Sequence, residues 1–128
     1  MMGQPWSSFR VAGVALDVPE QLAPSQERAI EGGAAVLEGA GIRLTVDASP
    51  FADPLTRYTA KPGYEHWQEI VGSATADFVS FEEEGIRTLA ANFPGRATAV
   101  VHLSPDAERD TALQILRSIR TDQGESND

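Results

Sequence analysis

The stretch SPDAERDTALQILRSIR, residues 104–120, decides the fold because it has the pattern of an amphipathic helix with both ends marked. Ser104 suits the N-cap and Pro105 the first helical position, while Arg117 and Arg120 place cations at the negative end of the helix dipole. The apolar residues recur every three or four positions: Ala112, Ile115, Leu116 and Ile119. A helix with one apolar stripe must bury it, so we expect this helix to pack against a sheet.

Two strand patterns come just before this helix and supply that sheet. ATAVVHL, residues 97–103, alternates so that every second side chain faces the same way. The stretch 73–93 predicts a hairpin that turns at EEEG. Its first arm breaks the alternation, because Phe78 and Phe81 cannot share a face of a regular strand. Either a bulge or a strand covered on both faces would accommodate the two rings.

The segment 25–48 has two interpretations. As a helix capped by Ser25, it would carry Gly32 and Gly33 in its interior at a cost of about 1 kcal/mol each. As a hairpin, it turns at EGAG and returns through the alternating arm IRLTVDA. The hairpin is the favoured interpretation. Upstream, VALDVP adds a further strand, which Pro19 ends.

These patterns predict an α+β fold. We expect a single antiparallel β-sheet of about five to seven strands, packed by the C-terminal helix and one or two short helices. YEHWQEIVG, residues 64–72, fits either a short helix or the start of a strand. Residues 9–120 form one domain in this prediction, with a flexible N-terminus at 1–8 and a disordered acidic tail at 121–128.

The composition argues against several classes of partner. With 19 acidic and 10 basic residues the net charge is -9, which repels nucleic-acid backbones and anionic membranes. No cysteine is present for disulfides, and no apolar run approaches the roughly 18 residues of a membrane span. The start MMGQPWSSFR lacks the pattern of a signal peptide, which favours the cytoplasm, although a chain trimmed of its leader would look the same.

Motifs for catalysis are missing from the sequence. There is no cysteine and no G-x-S-x-G, and the glycine pairs lack the spacing of a phosphate loop. The acidic residues match no metal-ligand spacing, so we expect no metal and no cofactor. His102 is interpreted as a structural or surface residue at a strand end, and His66 as the better candidate for a function. The protein is therefore expected not to be an enzyme.

The long Pro-containing loop and the residues after it form the candidate binding site. Loops of this length within a compact domain are uncommon and often functional. Aromatic and cationic side chains of the kind found in recognition surfaces gather here, with neighbouring polar groups: Asp53, Arg57, Tyr58, Lys61, Tyr64, His66 and Trp67. The competing interpretation is that Tyr58 and Trp67 only pin the loop to the sheet.

The order of these elements resembles the PsbP/Mog1-like α+β sandwich. The resemblance is carried by VALDVP, by TAVVHLSPDAERDTALQILRSIR and loosely by the hairpin between them, and covers residues 9–120. Members of that family are accessory or interaction modules, so the resemblance implies a non-catalytic role. Because of the composition of the 53–67 loop and the missing catalytic motifs, we expect this loop to bind a protein or peptide partner. The alternatives are a small-molecule pocket or enzyme using His66 and Arg57, and a homodimer.

Overall fold

The computed structural model describes residues 6–11, 13–24, 34–48, 55 and 58–121. Strands contain 61% of these residues. The elements in chain order are β1 (Trp6–Val11), β2 (Val14–Pro19), β3 (Ala23–Pro24), β4 (Ala34–Gly39), β5 (Ile42–Asp47), β6 (Glu65–Val71), β7 (Ala74–Glu83), β8 (Ile86–Phe93), β9 (Ala97–Leu103), α1 (Arg109–Arg117) and β10 (Arg120–Thr121).

The strands form two antiparallel sheets, so the predicted α+β fold with one sheet and several helices is wrong. The large sheet has seven strands in the order β3-β4-β5-β9-β8-β7-β6, and the small sheet has three in the order β1-β2-β10. Across the described ranges α1 is the one helix, because residues 65–71 form a strand instead of a short helix. The small sheet arises because β10, directly after α1, pairs with β2 instead of joining the large sheet.

Tight turns set the register of the large sheet. The loop between β4 and β5 has Ala40 and Gly41 at φ 53° and 78°, and the loop between β7 and β8 has Glu84 and Gly85 at 55° and 81°. Two residues at positive φ are the signature of a type I′ turn, whose twist matches that of the paired strands. The predicted hairpins at 34–48 and 73–93 are thereby confirmed, with regular pairing throughout both.

Helix α1 is shorter than predicted and begins later. Its N-cap is Glu108, whose side chain makes no capping hydrogen bond, so the assignment of Ser104 to the N-cap and Pro105 to the first turn was wrong. The Ser104 N–H instead donates to the Gly41 carbonyl at 2.9 Å. Gly41 has φ 78°, and a Cβ atom on it would lie 2.5 Å from the Ser104 Oγ, so any other residue would be strained here and would displace the Ser104 hydroxyl. Ser104 thus docks the entry to α1 onto the β4–β5 turn.

The large sheet is covered on both faces. Its inner face packs against α1 and the small sheet in one core cluster, which includes the expected helix stripe of Ile115, Leu116 and Ile119. On its outer face, Leu55 packs on Val79 and Ala90, with Tyr58 and Tyr64 beside them. Phe78 lies in the inner core and Phe81 is buried as well, without any bulge in β7. Of the two predicted alternatives, coverage on both faces is therefore confirmed.

Candidate functional site

The predicted binding residues do not form one surface. Asp53 and Arg57 lie outside the described residues. Tyr58 and Tyr64 pack on the outer face of the large sheet, whereas Trp67 belongs to β6 and packs with the inner core. The sheet itself therefore separates the two groups of aromatic rings.

The outer-face group is an anchor for the chain before β6. Tyr58 stacks on Phe81 with ring centroids 4.9 Å apart, a contact of the kind expected if this tyrosine pins the loop to the sheet. Lys61 donates to the Glu83 carboxylate at 2.9 Å. Leu55 is 1% exposed although its φ is 67°, a conformation that costs a bulky side chain energy and is offset here by burial. These contacts hold the segment on the sheet.

Among the described residues, strand β6 is one of the two edge strands of the large sheet, and its neighbour is β7. The loop 72–73 has two residues, so the flanking Val71 and Ala74 form a hydrogen-bonded pair, and such pairs alternate along the ladder. The residues whose backbone N–H and C=O point away from β7 are therefore His66, Gln68 and Ile70. All three side chains are exposed, and Ile70 reaches 75%. Seven residues without proline or bulge make a complete template for another strand.

A groove lies between this edge strand and α1 on the inner side of the sheet. It is lined by Glu65, His66, Trp67, Arg109, Leu113 and Arg117. The spacing matches, because eight residues of helix rise about 12 Å and four residues of strand about 13 Å. Arg109 therefore reaches Glu65 while Arg117 reaches Glu69, and Leu113 lies between them, level with Trp67.

Charged groups hold the Trp67 indole in place. Its N–H donates to Glu69 at 2.8 Å, its ring stacks on Phe78 at 5.6 Å, and the Arg109 guanidinium lies 5.8 Å from the ring centroid. Arg117 donates two hydrogen bonds of 2.8 Å to Glu69. These bonds, and the one from the indole, hold the pKa of Glu69 below its ordinary value despite the opposing effect of burial. These contacts link β6 to α1 along the wall of the groove.

A cavity of about 300 Å³ opens where the groove meets the start of β6. Its lining includes two guanidinium groups, from Arg87 and Arg109, and the buried hydroxyl of Ser80. Each guanidinium has a carboxylate nearby at longer range, with Arg109 3.7 Å from Glu65 and Arg87 3.5 Å from Glu82. These contacts are looser than the paired 2.8 Å bonds of Arg117.

The two histidines lie apart from this cavity. His66 borders the groove, but its side chain lies on the outer side of β6, with its Nε2 3.4 Å from the Asp77 carboxylate and nearly half of the side chain exposed. His102 is half-buried in β9, where its Nδ1 lies 3.0 Å from the Thr88 hydroxyl. Burial, and then the charge of Arg43, lower the pKa of His102. This contact and the half-burial of the ring are consistent with the interpretation of His102 as a structural or surface residue at a strand end.

The lowered pKa of His102 predicts a loss of stability in mild acid. In the unfolded chain the imidazole takes up a proton near its ordinary pKa of about 6.5, whereas in the folded protein it does so only at lower pH. The free energy of unfolding is therefore unaffected by this group above about pH 6.5 and decreases as the pH falls below that value. Denaturant unfolding of wild type and His102→Gln from about pH 7.5 to about pH 5.5 measures this. We expect the wild type to lose more stability over that interval. Parallel curves for the two proteins would contradict the assignment.

Searches against known proteins give no further guide. No protein-family model matches the chain, and no curated protein matches its sequence. The resemblance to PsbP/Mog1-like proteins accordingly stays a prediction. Within the described ranges, no three His, Asp or Glu side chains gather to hold a metal ion, and no helix has the length and apolar character needed to cross a membrane.

The edge strand and the groove contain residues that the sequence analysis did not single out as functional. Glu69 follows the predicted site on the inner side of β6, Gln68 and Ile70 follow it on the outer side of the same edge strand, and Arg109 and Arg117 come from the terminal helix. A signal for the groove was present in the spacing: Glu65, Trp67 and Glu69 share one strand face, while Arg109 and Arg117 share one helix face. This spacing could be recognised as a signal only with the knowledge that residues 65–71 form a strand and that α1 lies beside that strand.

Proposed function

We propose that this protein is a non-catalytic interaction module that binds an extended segment of a partner protein as an additional strand along β6. The observation that carries the proposal is the outward row of backbone groups on His66, Gln68 and Ile70, presented by an edge strand within the described part of the chain. Added strands gain affinity from main-chain hydrogen bonds and specificity from alternate side-chain contacts.

The two sides of the edge strand would contact different side chains of the bound segment. Residues of the segment opposite Trp67 lie on the inner side, where the indole, Leu113 and the stem of Arg117 offer apolar contact. Residues opposite Ile70 lie on the outer side, next to the most exposed large apolar side chain among the described residues. An apolar residue opposite Trp67 is therefore the preferred feature of a partner segment.

The decisive experiment compares Gln68→Pro with Gln68→Ala. Both remove the Gln68 side chain and its hydrogen bond to Asp77, but only proline removes the outward N–H, and proline is tolerated where that N–H faces solvent. Binders are first selected on the wild type from random decapeptides displayed with free C-termini and, separately, with free N-termini. Their affinities for the three proteins are then measured by fluorescence anisotropy.

We expect Gln68→Ala to bind within about threefold of wild type and Gln68→Pro at least about tenfold more weakly, since a backbone hydrogen bond is lost. Circular dichroism of both variants checks that the sheet is intact. Equal binding by both variants, or the absence of any selected peptide, would refute strand addition. Self-association of the wild type that Gln68→Pro abolishes would assign the edge to a second copy, which is the homodimer alternative.

A further inference from the structure

We infer that Glu69 is a positioning residue that makes β6 selective for an apolar residue opposite Trp67, because it occupies the one polar atom of the indole. This inference rests on the proposed function and specifies one residue of the bound segment. It follows from three observations: the bonds that Glu69 makes, the side of the indole that faces the free edge, and the register of an added strand.

The Glu69 carboxylate joins Trp67 to α1. Its Oε2 accepts one 2.8 Å hydrogen bond from the Trp67 indole N–H and another from Arg117, and its Oε1 accepts a third from the Arg117 Nε, also at 2.8 Å. Bonds to a charged group are stronger than those between neutral groups. The Glu69 side chain is only 21% exposed, which limits competition by water. The indole N–H is therefore held along the strand, towards Glu69.

The side of the indole that faces the free edge offers carbon atoms. Phe78 is the partner of Trp67 in β7, and its ring stacks on the indole with centroids 5.6 Å apart, so the free edge of β6 lies on the other side. The Nε1–H is the only polar group of the indole. Because Glu69 accepts that hydrogen bond, a polar side chain arriving from the edge would lose its bonds to water without finding a donor on Trp67.

The register of an added strand brings one residue directly against the indole. The backbone N–H and C=O of Trp67 point towards β7, so in an antiparallel addition Trp67 faces its new partner in a non-hydrogen-bonded pair. Side chains are closest in pairs of this kind, with Cα atoms about 4.5 Å apart. Loss of the Glu69 carboxylate would free the indole N–H to donate to a polar side chain at that position, and the preference for an apolar residue would fall.

The test uses the tightest-binding peptide from the decapeptide selections. Its residue opposite Trp67 is the position at which alanine weakens binding to wild type at least about fivefold more than binding to Trp67→Ala. The peptide is then synthesised with valine and with threonine at this position, two residues of the same shape that differ by one hydroxyl. We expect wild type to prefer valine at least about fivefold, and Glu69→Ala to reduce this preference to below about twofold.

Two further variants and one spectroscopic measurement isolate the hydrogen bond. Glu69→Gln keeps an oxygen acceptor for the indole and should retain the preference for valine. Glu65→Ala removes the other glutamate of the same strand face, which accepts its bond from Ser80 and not from the indole, and should also retain it. In the free proteins, exchange of the Trp67 indole proton followed by NMR should be about tenfold faster in Glu69→Ala than in wild type or Glu69→Gln.

Each outcome separates this inference from the proposed function. If Gln68→Pro blocks binding but Glu69→Ala keeps the preference, or weakens both peptides equally, the inference is overturned and strand addition stands. Loss of the preference in Glu69→Gln, equal indole exchange in wild type and Glu69→Ala, or a wild type that binds both peptides equally would also overturn the inference alone. So would the lack of any peptide position coupled to Trp67. Failure of every peptide to bind would overturn both.

Discussion

Phe78→Ala should lower the free energy of unfolding by about 3–5 kcal/mol, the largest effect we expect from any single substitution. The Phe78 side chain is fully buried on the inner face of β7, within the cluster shared by both sheets and α1. Truncation removes its apolar contacts and leaves a cavity between the sheet and the helix. It also removes the stacking partner of Trp67, so the wall of the groove loses its support.

Urea unfolding followed by circular dichroism measures this effect. Phe78→Leu keeps most of the volume and should cost less than about 1.5 kcal/mol, while Ile70→Ala on the exposed edge should change stability by less than about 0.5 kcal/mol. A loss below about 1 kcal/mol for Phe78→Ala would mean that this position is not in the shared core.

Leu116→Ala should lower the free energy of unfolding by about 2–5 kcal/mol. Leu116 is fully buried in the last turn of α1, among inner-face residues of the large sheet. A nine-residue helix is too short to be stable by its own hydrogen bonds, so its packing supplies most of its stability. Loss of this contact therefore loosens the whole helix from the sheet.

The matched control is Gln114→Ala, an exposed position two residues earlier on the same helix, with an expected change within about 0.5 kcal/mol. Alanine is a good helix former, so introducing it does not by itself weaken α1. If Gln114→Ala keeps the stability of the wild type, the stability lost in Leu116→Ala comes from lost packing. Similar stabilities of the two variants would place the buried stripe elsewhere and remove the basis for the position of Arg109 and Arg117.

The sequence predicted the parts of the fold whose periodicity is unbroken. The alternating arm from Ile42, the strand 97–103 and the stripe of Ile115 and Leu116 lie where their patterns put them. Each of these elements has one clear pattern because its apolar residues face a continuous core. For these three elements, the local periodicity of apolar residues was sufficient to predict the structure.

Other features depended on contacts between distant residues. Strand β6 was ambiguous because charged residues sit on its inner face, where Glu65 and Glu69 pair with Arg109 and Arg117 of the helix and accept hydrogen bonds from Ser80 and Trp67. The second sheet was missed because β10 has two residues, too few for any pattern, and forms by pairing with β2. For the same reason, the sequence located only part of the candidate site. The residues around Trp67 were identified from their composition, but Arg109 and Arg117 join the site only through the packing of α1 beside β6.

The pairing of β10 with β2 has a consequence for how this chain folds during synthesis. The Ser118 hydroxyl accepts a hydrogen bond from the N–H of Asp17, a residue 101 positions earlier in the chain, and Arg120 lies 3.6 Å from the Asp17 carboxylate. A growing chain can close its local hairpins early, but β2 gains this neighbour only after residues 118–121 have left the ribosome. Until then one side of an apolar strand stays exposed, so we expect nascent chains that end before α1 to recruit chaperones.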